Sequence, residues 1–151
     1  LVAADSLNAQ GRYLRGLLAL AANDDSIASA DFDVLEKLDP EGLATAIGKA
    51  SLLTKHGRAA EALPYLRRMA SLDPQPEHYA VLAETLLSLG NLSEAGETIK
   101  TGMEKYPDNA DLYFCRAKLH RDLYELDRAR EDAKKALRLG IPRDKIKELK
   151  L

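Results

Sequence analysis

Apolar residues in this chain recur at spacings of three and four rather than in alternation. Between His78 and Leu89, residues Leu82, Leu86 and Leu89 fall at i, i+4 and i+7; between Ser93 and Lys105, Ala95, Ile99 and Met103 fall at i, i+4 and i+8. A helix turns once in about 3.6 residues, so each set lies along one face, and the spacing predicts two helices joined by a turn at Gly90-Asn91. Gly90 suits the position just past a helix end, where φ must be positive, and Ser93 is placed to cap the helix that follows. Pro107 and Pro142 stop helices because proline lacks the N–H and clashes with the preceding turn. Upstream, helices are predicted from about Asn8 to Ala22 and from Ile27 to Leu38, with 23–26 as the turn and Ser26 as the cap. At the far end, Asp144 to Leu151 begins another helix with Ile146 and Leu149 on one face.

These elements repeat. Gly57-Arg58 and Glu61-Ala62 recur 33 positions on as Gly90-Asn91 and Glu94-Ala95, and Asp73-Pro74 recurs as Tyr106-Pro107. Tyr124, Ala129 and Pro142 continue the series. Ala50, Ala83 and Ala117 are separated by 33 and then 34, and Tyr79 is followed 34 later by Tyr113. The departures from a strict period fall between Pro74 and Tyr79 and between Ala136 and Pro142, where one unit hands over to the next and a surface turn accepts a changed length. A fixed period in this range is the signature of a stacked helical array. The expected units are 43–75, 76–109 and 110–143, with a divergent repeat or an unrelated helical hairpin at 9–42 and a capping helix, or a truncated further repeat, starting at 144–151.

The arrangement resembles the tetratricopeptide repeat, which has small residues at two close helix contacts, a glycine in the inter-helix turn and a terminal proline. Ala50, Ala83 and Ala117 match the first small position; Ala62, Ala95 and Ala129 match the second. Tyr79 and Tyr113 match the large aromatic near the start of the first helix, and Met69, Gly102 and Ala136 the small residue near the end of the second. A larger side chain where paired helices cross would push their axes apart. The resemblance covers about two-thirds of the chain. It departs from the family pattern at Tyr124 in place of the turn glycine, at the larger Met69, and at Pro64 inside a helix. It implies an all-α fold, a right-handed α-solenoid of antiparallel helix pairs.

Charge refines this picture. Residues 1–42 hold eight acids against three bases, while 110–151 hold twelve bases against eight acids, so the array is acidic at its start and basic at its end. No apolar run is long enough for a membrane span, and Leu14 to Ala22 is interrupted by Arg15. No membrane insertion is expected. The chain begins with Leu and ends in Lys-Leu, as a piece cut or processed from a longer protein would.

Candidate chemistry is sparse. The single cysteine, Cys115, excludes an intramolecular disulfide and is expected as a buried small apolar residue. His56, His78 and His120 lack a ligand at i+3 or i+4, so no metal is expected. Glycines stand singly rather than in a phosphate loop, and no nucleophile signature is present, so neither a cofactor nor catalysis is predicted. The basic stretch Arg128 to Arg138 is interrupted by Glu131 and Asp132, which favours a solvated helix with internal pairs over a nucleic-acid patch.

What remains is a surface for another polypeptide. By register with the family, the first helices of successive units line a concave groove, with Ala44, Ile47, Ser51 and Thr54, then Glu77, Ala80, Glu84 and Leu87, then Asp111, Phe114, Lys118 and Arg121 facing it. The clamp with which one subgroup grips chaperone C-termini is absent, since its places hold Ile47, Ser51, Val81, Asp111 and Cys115. The mixed groove suits an amphipathic helix or an internal segment of a partner protein. Two alternatives stand beside that reading: a regulatory or assembly domain of a larger enzyme or of a secretion or envelope complex, and a structural element that self-associates head to tail, acidic start against basic end.

Overall fold

The three-and-four spacing of apolar residues folds, in a computed structural model describing residues 2–151 with side chains from Leu7 onward, into nine helices and no strand among the described residues. These are α1 (Val2–Ala21), α2 (Asp25–Leu38), α3 (Leu43–Lys55), α4 (Ala59–Leu72), α5 (Pro76–Ser88), α6 (Leu92–Lys105), α7 (Ala110–Asp122), α8 (Leu126–Arg138) and α9 (Arg143–Lys147). Two compact units result, Leu1–Asp73 and Pro74–Leu151. The first holds the hairpins α1–α2 and α3–α4, and α3 packs on both helices of the hairpin before it. The second holds α5–α6 and α7–α8, with α7 packed on both α5 and α6, and α9 on α8.

Each hairpin closes on a residue in the left-handed region. Asn23 (φ 62°), Gly57 (70°), Gly90 (76°) and Tyr124 (61°) stand at intervals of 34, 33 and 34. Glycine meets this demand at no steric cost, and asparagine is tolerated there. The caps differ from the expectation. Ser26 and Ser93 lie inside their helices; the N-caps are Asp24, whose carboxylate accepts from the Ile27 N–H at 3.2 Å, and Asn91, whose side chain makes no cap bond. Pro142 does not end α8. That helix stops at Leu139 and Gly140 (φ 119°), and Pro142 becomes the N-cap of α9. Pro64 is accommodated within α4.

The core of the first unit is built on Phe32, fully buried with Ala19, Ala28, Leu35 and Leu52. Its ring lies between two glycines. A Cβ added at Gly16 of α1 or at Gly48 of α3 would stand 2.5 Å from a ring carbon. In the second unit, the small positions Ala83, Ala95, Ala117, Ala129 and Ala136 are all fully buried, which lets the paired helices approach closely. The C-terminal helix is shorter than the expected 144–151: α9 has five residues, and Lys150 turns into the left-handed region at φ 53°. Ile141, Ile146 and Leu149 nevertheless pack against Phe114, Ala117, Ala133 and Ala136, closing the outer face of the last hairpin.

Candidate partner-binding surface

In the second unit, α5 and α7 lie side by side and bring two of the three register sets together. The apolar members are withdrawn from solvent. Ala80 is 7% exposed, Leu87 8% and Phe114 1%. Phe114 is enclosed because the C-terminal segment covers it and two cations flank it, Lys118 Nζ at 4.6 Å and Lys145 Nζ at 4.9 Å from the ring centroid. Such cation–π contacts keep two ammonium groups beside an apolar residue without burying them fully. The charged members stay accessible: Glu77 is exposed, and Glu84, Asp111, Lys118 and Arg121 are half-buried.

Lys118 donates to Glu84 Oε1 at 3.0 Å across the two helices, and Arg121 Nε donates to Asp122 at 2.9 Å. Beside them lies an open cavity of about 270 Å³, lined by Glu84, Leu87, Lys118 and Arg121 and by Glu148 and Leu149 of the C-terminal segment. Beneath it the Cys115 thiol is buried 3.6 Å from the Ala80 carbonyl oxygen, and desolvation, aided by the charge of Glu84, pushes its pKa up to about 12. A thiol so placed is protonated and inert.

In the first unit, Ala44, Ile47 and Ser51 are half-buried and Thr54 is exposed, all on α3. Sequence reasoning passed over a different cluster there. Lys49 bridges Asp33 and Glu36 (3.0 Å to Glu36), the Tyr65 hydroxyl donates to Glu36, and these groups line an open polar cavity of about 600 Å³ together with Arg58 and Arg68. The Tyr65 hydrogen bond, then Lys49, holds the Glu36 carboxyl below its usual range; the same bond raises the Tyr65 phenol. Burial opposes the Lys49 charge, but Asp33 and Glu36 outweigh it and its pKa is raised. The members come from α2, α3 and α4, so no local spacing announces them. Among the described residues, no group of three His, Cys, Asp or Glu stands close enough to hold a metal ion, and no helix is long and apolar enough to cross a membrane.

Antiparallel helix pairs stacked through small residues, turning on left-handed residues every 33 or 34 positions, define an all-α helical-repeat protein of the solenoid class. The tetratricopeptide repeat family model matches residues 53–119, and the chain shares its fold with solved tetratricopeptide repeat proteins. The crystal structure of a tetratricopeptide repeat protein from Parabacteroides merdae is 27% identical over 93% of this chain, with a TM-score of 0.69; this chain spans 56% of that one. A thermophilic TPR protein of Thermus thermophilus shares the fold at 24% identity and a TM-score of 0.72, covering 93% of this chain and 80% of its own. MamA from Desulfovibrio magneticus shares it at 20% identity and a TM-score of 0.76, over 87% of this chain and 75% of its own. No curated protein matches the sequence. The class of function this fold defines is the protein-interaction scaffold.

Proposed function

We propose that the chain is a non-catalytic scaffold that holds an extended segment of a partner protein along the α5 and α7 face of its second unit. The observation that supports this is the contrast in exposure on that face: the apolar positions Ala80, Leu87 and Phe114 are sealed, while Glu77, Glu84, Asp111, Lys118 and Arg121 stay accessible, three of them (Glu84, Lys118 and Arg121) at a shallow cavity. A surface of alternating charge with little exposed carbon offers little to the apolar face of an amphipathic helix. It offers more to a polar peptide whose own charges replace water around Glu84 and Lys118. The Glu84–Lys118 pair is half-exposed and contributes little to stability by itself, so a ligand carboxylate or ammonium exchanges with it at small cost.

The test is selection of peptides from a random display library on the wild-type chain, followed by binding of the selected peptides to a Glu77→Lys, Arg121→Glu double variant. Binding weakened more than tenfold, with an unchanged thermal midpoint, supports this face. Peptides that bind wild type and variant alike place the interaction elsewhere.

A further inference from the structure

The first helix carries an apolar seam that nothing among the described residues covers. Leu7, Leu14 and Leu18 are 71%, 52% and 72% exposed, and with Gly11 and Ala21 they fall at spacings of four, three, four and three. That is the heptad pattern of a helix that packs along another helix. Register gives the seam its meaning. Counted back from the left-handed turn residue, positions twelve, nine and five are Gly11, Leu14 and Leu18 in α1; Thr45, Gly48 and Leu52 in α3; and Leu112, Cys115 and Leu119 in α7. In α3 and α7 all six are buried, because α3 packs on α1–α2 and α7 on α5–α6. In α1 the same positions face solvent. The seam is a helix-packing face without its helix.

We infer that a second copy of this chain covers it, α1 against α1 in antiparallel, two-fold fashion. The seam is complementary to itself under that symmetry: pairing Leu7 with Leu18 of the other copy puts Leu14 opposite Gly11, where an added Cβ would meet nothing within 4 Å and a leucine side chain has room. The rim is also compatible. Arg12 and Arg15 flank the seam, but both are engaged by Asp31 of their own hairpin, at 3.1 Å and 2.6 Å, and the two-fold sets Asn8 beside Arg15 along one edge and Gln10 beside Leu17 along the other, so no like charges oppose each other. Head-to-tail pairing, by contrast, needs the outer face of the last hairpin. The chain's own Ile141, Ile146 and Leu149 already close that face.

The test is the mass of the 151-residue chain in solution. A single helix pair is an interface below about 1,200 Å², in the weak class, so the measurement is made by light scattering at about 100 µM. The expected result is about twice 16.6 kDa, unchanged when salt is raised to about 1 M, where charge interactions are screened within about 3 Å. Leu14→Glu and, separately, Leu18→Gln return the mass to one copy with the wild-type circular dichroism. Lys134→Glu combined with Lys147→Glu stays at two copies. A wild type that remains at 16.6 kDa overturns the proposal and leaves the seam to a helix from outside this chain. A dimer that survives both leucine variants, or that dissolves in salt or in the lysine variant, overturns it in favour of another face.

Discussion

Asp31 and Asp132 hold the same place in the first and last hairpins: each lies eight residues after the left-handed turn residue and accepts both arms of an arginine sixteen residues upstream. Arg15 donates through Nε and Nη2 at 2.7 and 2.6 Å, and Arg116 through the same atoms at 2.8 Å each. The equivalent pairs in the middle hairpins are Lys49 with Tyr65 and Leu82 with Thr98. The terminal hairpins thus clamp their two helices with a planar fork, whose geometry fixes rotation as well as distance.

Asp132→Asn therefore loosens the last hairpin. The aspartate is 6% exposed and its removal leaves the Arg116 fork without a charged acceptor, a loss of about 1–3 kcal/mol. Urea unfolding at neutral pH measures it. Arg116→Lys is expected to lose part of the same stability, because an ammonium cannot bridge both carboxylate oxygens in plane.

Acid acts on the same kind of contact in the first unit. The Arg15 hydrogen bonds hold the Asp31 carboxyl below its usual range, and Tyr65 and Lys49 do the same for Glu36. A carboxyl with a folded-state pKa below its unfolded one contributes stability above the unfolded value, and that contribution is lost as pH falls through the folded one. Ordinary values are about 3.9 for Asp and 4.3 for Glu, so the urea midpoint is expected to hold steady from pH 7 to about 5 and to fall below about 4. Asp31→Asn starts lower at neutral pH and falls less steeply.

The repeat, the helix pairs and the turn at Gly90 were legible because each is local: a period, a face of one helix, a backbone preference of one residue. The clamps were not, because Arg15 and Asp31 sit on different helices and nothing within either segment sets them apart from solvated charges. Phe114 shows the same limit from the other side. It lies on the first helix of its hairpin, as spacing implies, yet its exposure depends on Ile141, Ile146 and Leu149, and although the spacing puts Ile146 and Leu149 on one face, it does not say that this face returns over Phe114. The caps failed for a smaller reason. Ser26 and Ser93 have the right chemistry, but Asp24 and Asn91 stand immediately after the left-handed turn residues, and the helices begin there.

Gly48→Ala is expected to destabilise although alanine favours a helix by about 1 kcal/mol over glycine. The new methyl would stand 2.5 Å from the Phe32 ring, and Gly16 of α1 approaches the same Cδ1–Cε1 edge, which leaves the ring little room to retreat. Overpacking of this kind costs about 1–3 kcal/mol. Gly96→Ala is the control with the opposite sign, since its added Cβ meets only the Leu119 side chain at 3.5 Å. Thermal midpoints of the two variants should move in opposite directions.

Tyr124→Gly is expected to stabilise. Tyr124 sits at φ 61° and is 89% exposed, so its ring contributes little packing while its Cβ bears the left-handed strain. That strain is about 1–2 kcal/mol for an L residue, against about 0.5–1 kcal/mol of extra chain entropy that glycine loses on folding. A net gain of about 0.5–1 kcal/mol, read from the urea midpoint, follows from the difference. Gly57→Ala, at φ 70°, should lose a comparable amount.

Cys115 makes stability fall at alkaline pH. Burial raises its thiol to about 12, above the ordinary value of about 8.5. The folded chain thus favours the protonated thiol, and this contribution is fully present below the unfolded value and is lost as pH rises toward the folded one. The urea midpoint of the wild type should decline between about pH 9 and 11 more steeply than that of Cys115→Ala, which has no thiol to ionise. Alkylation gives the same answer by rate. Iodoacetamide attacks the thiolate, so at pH 8 the folded chain should resist modification and the unfolded chain should react readily. Rapid labelling of the folded protein would mean that α5 and α7 separate often enough to expose the sulfur, and the packing of Cys115 on Ala80 would then be transient.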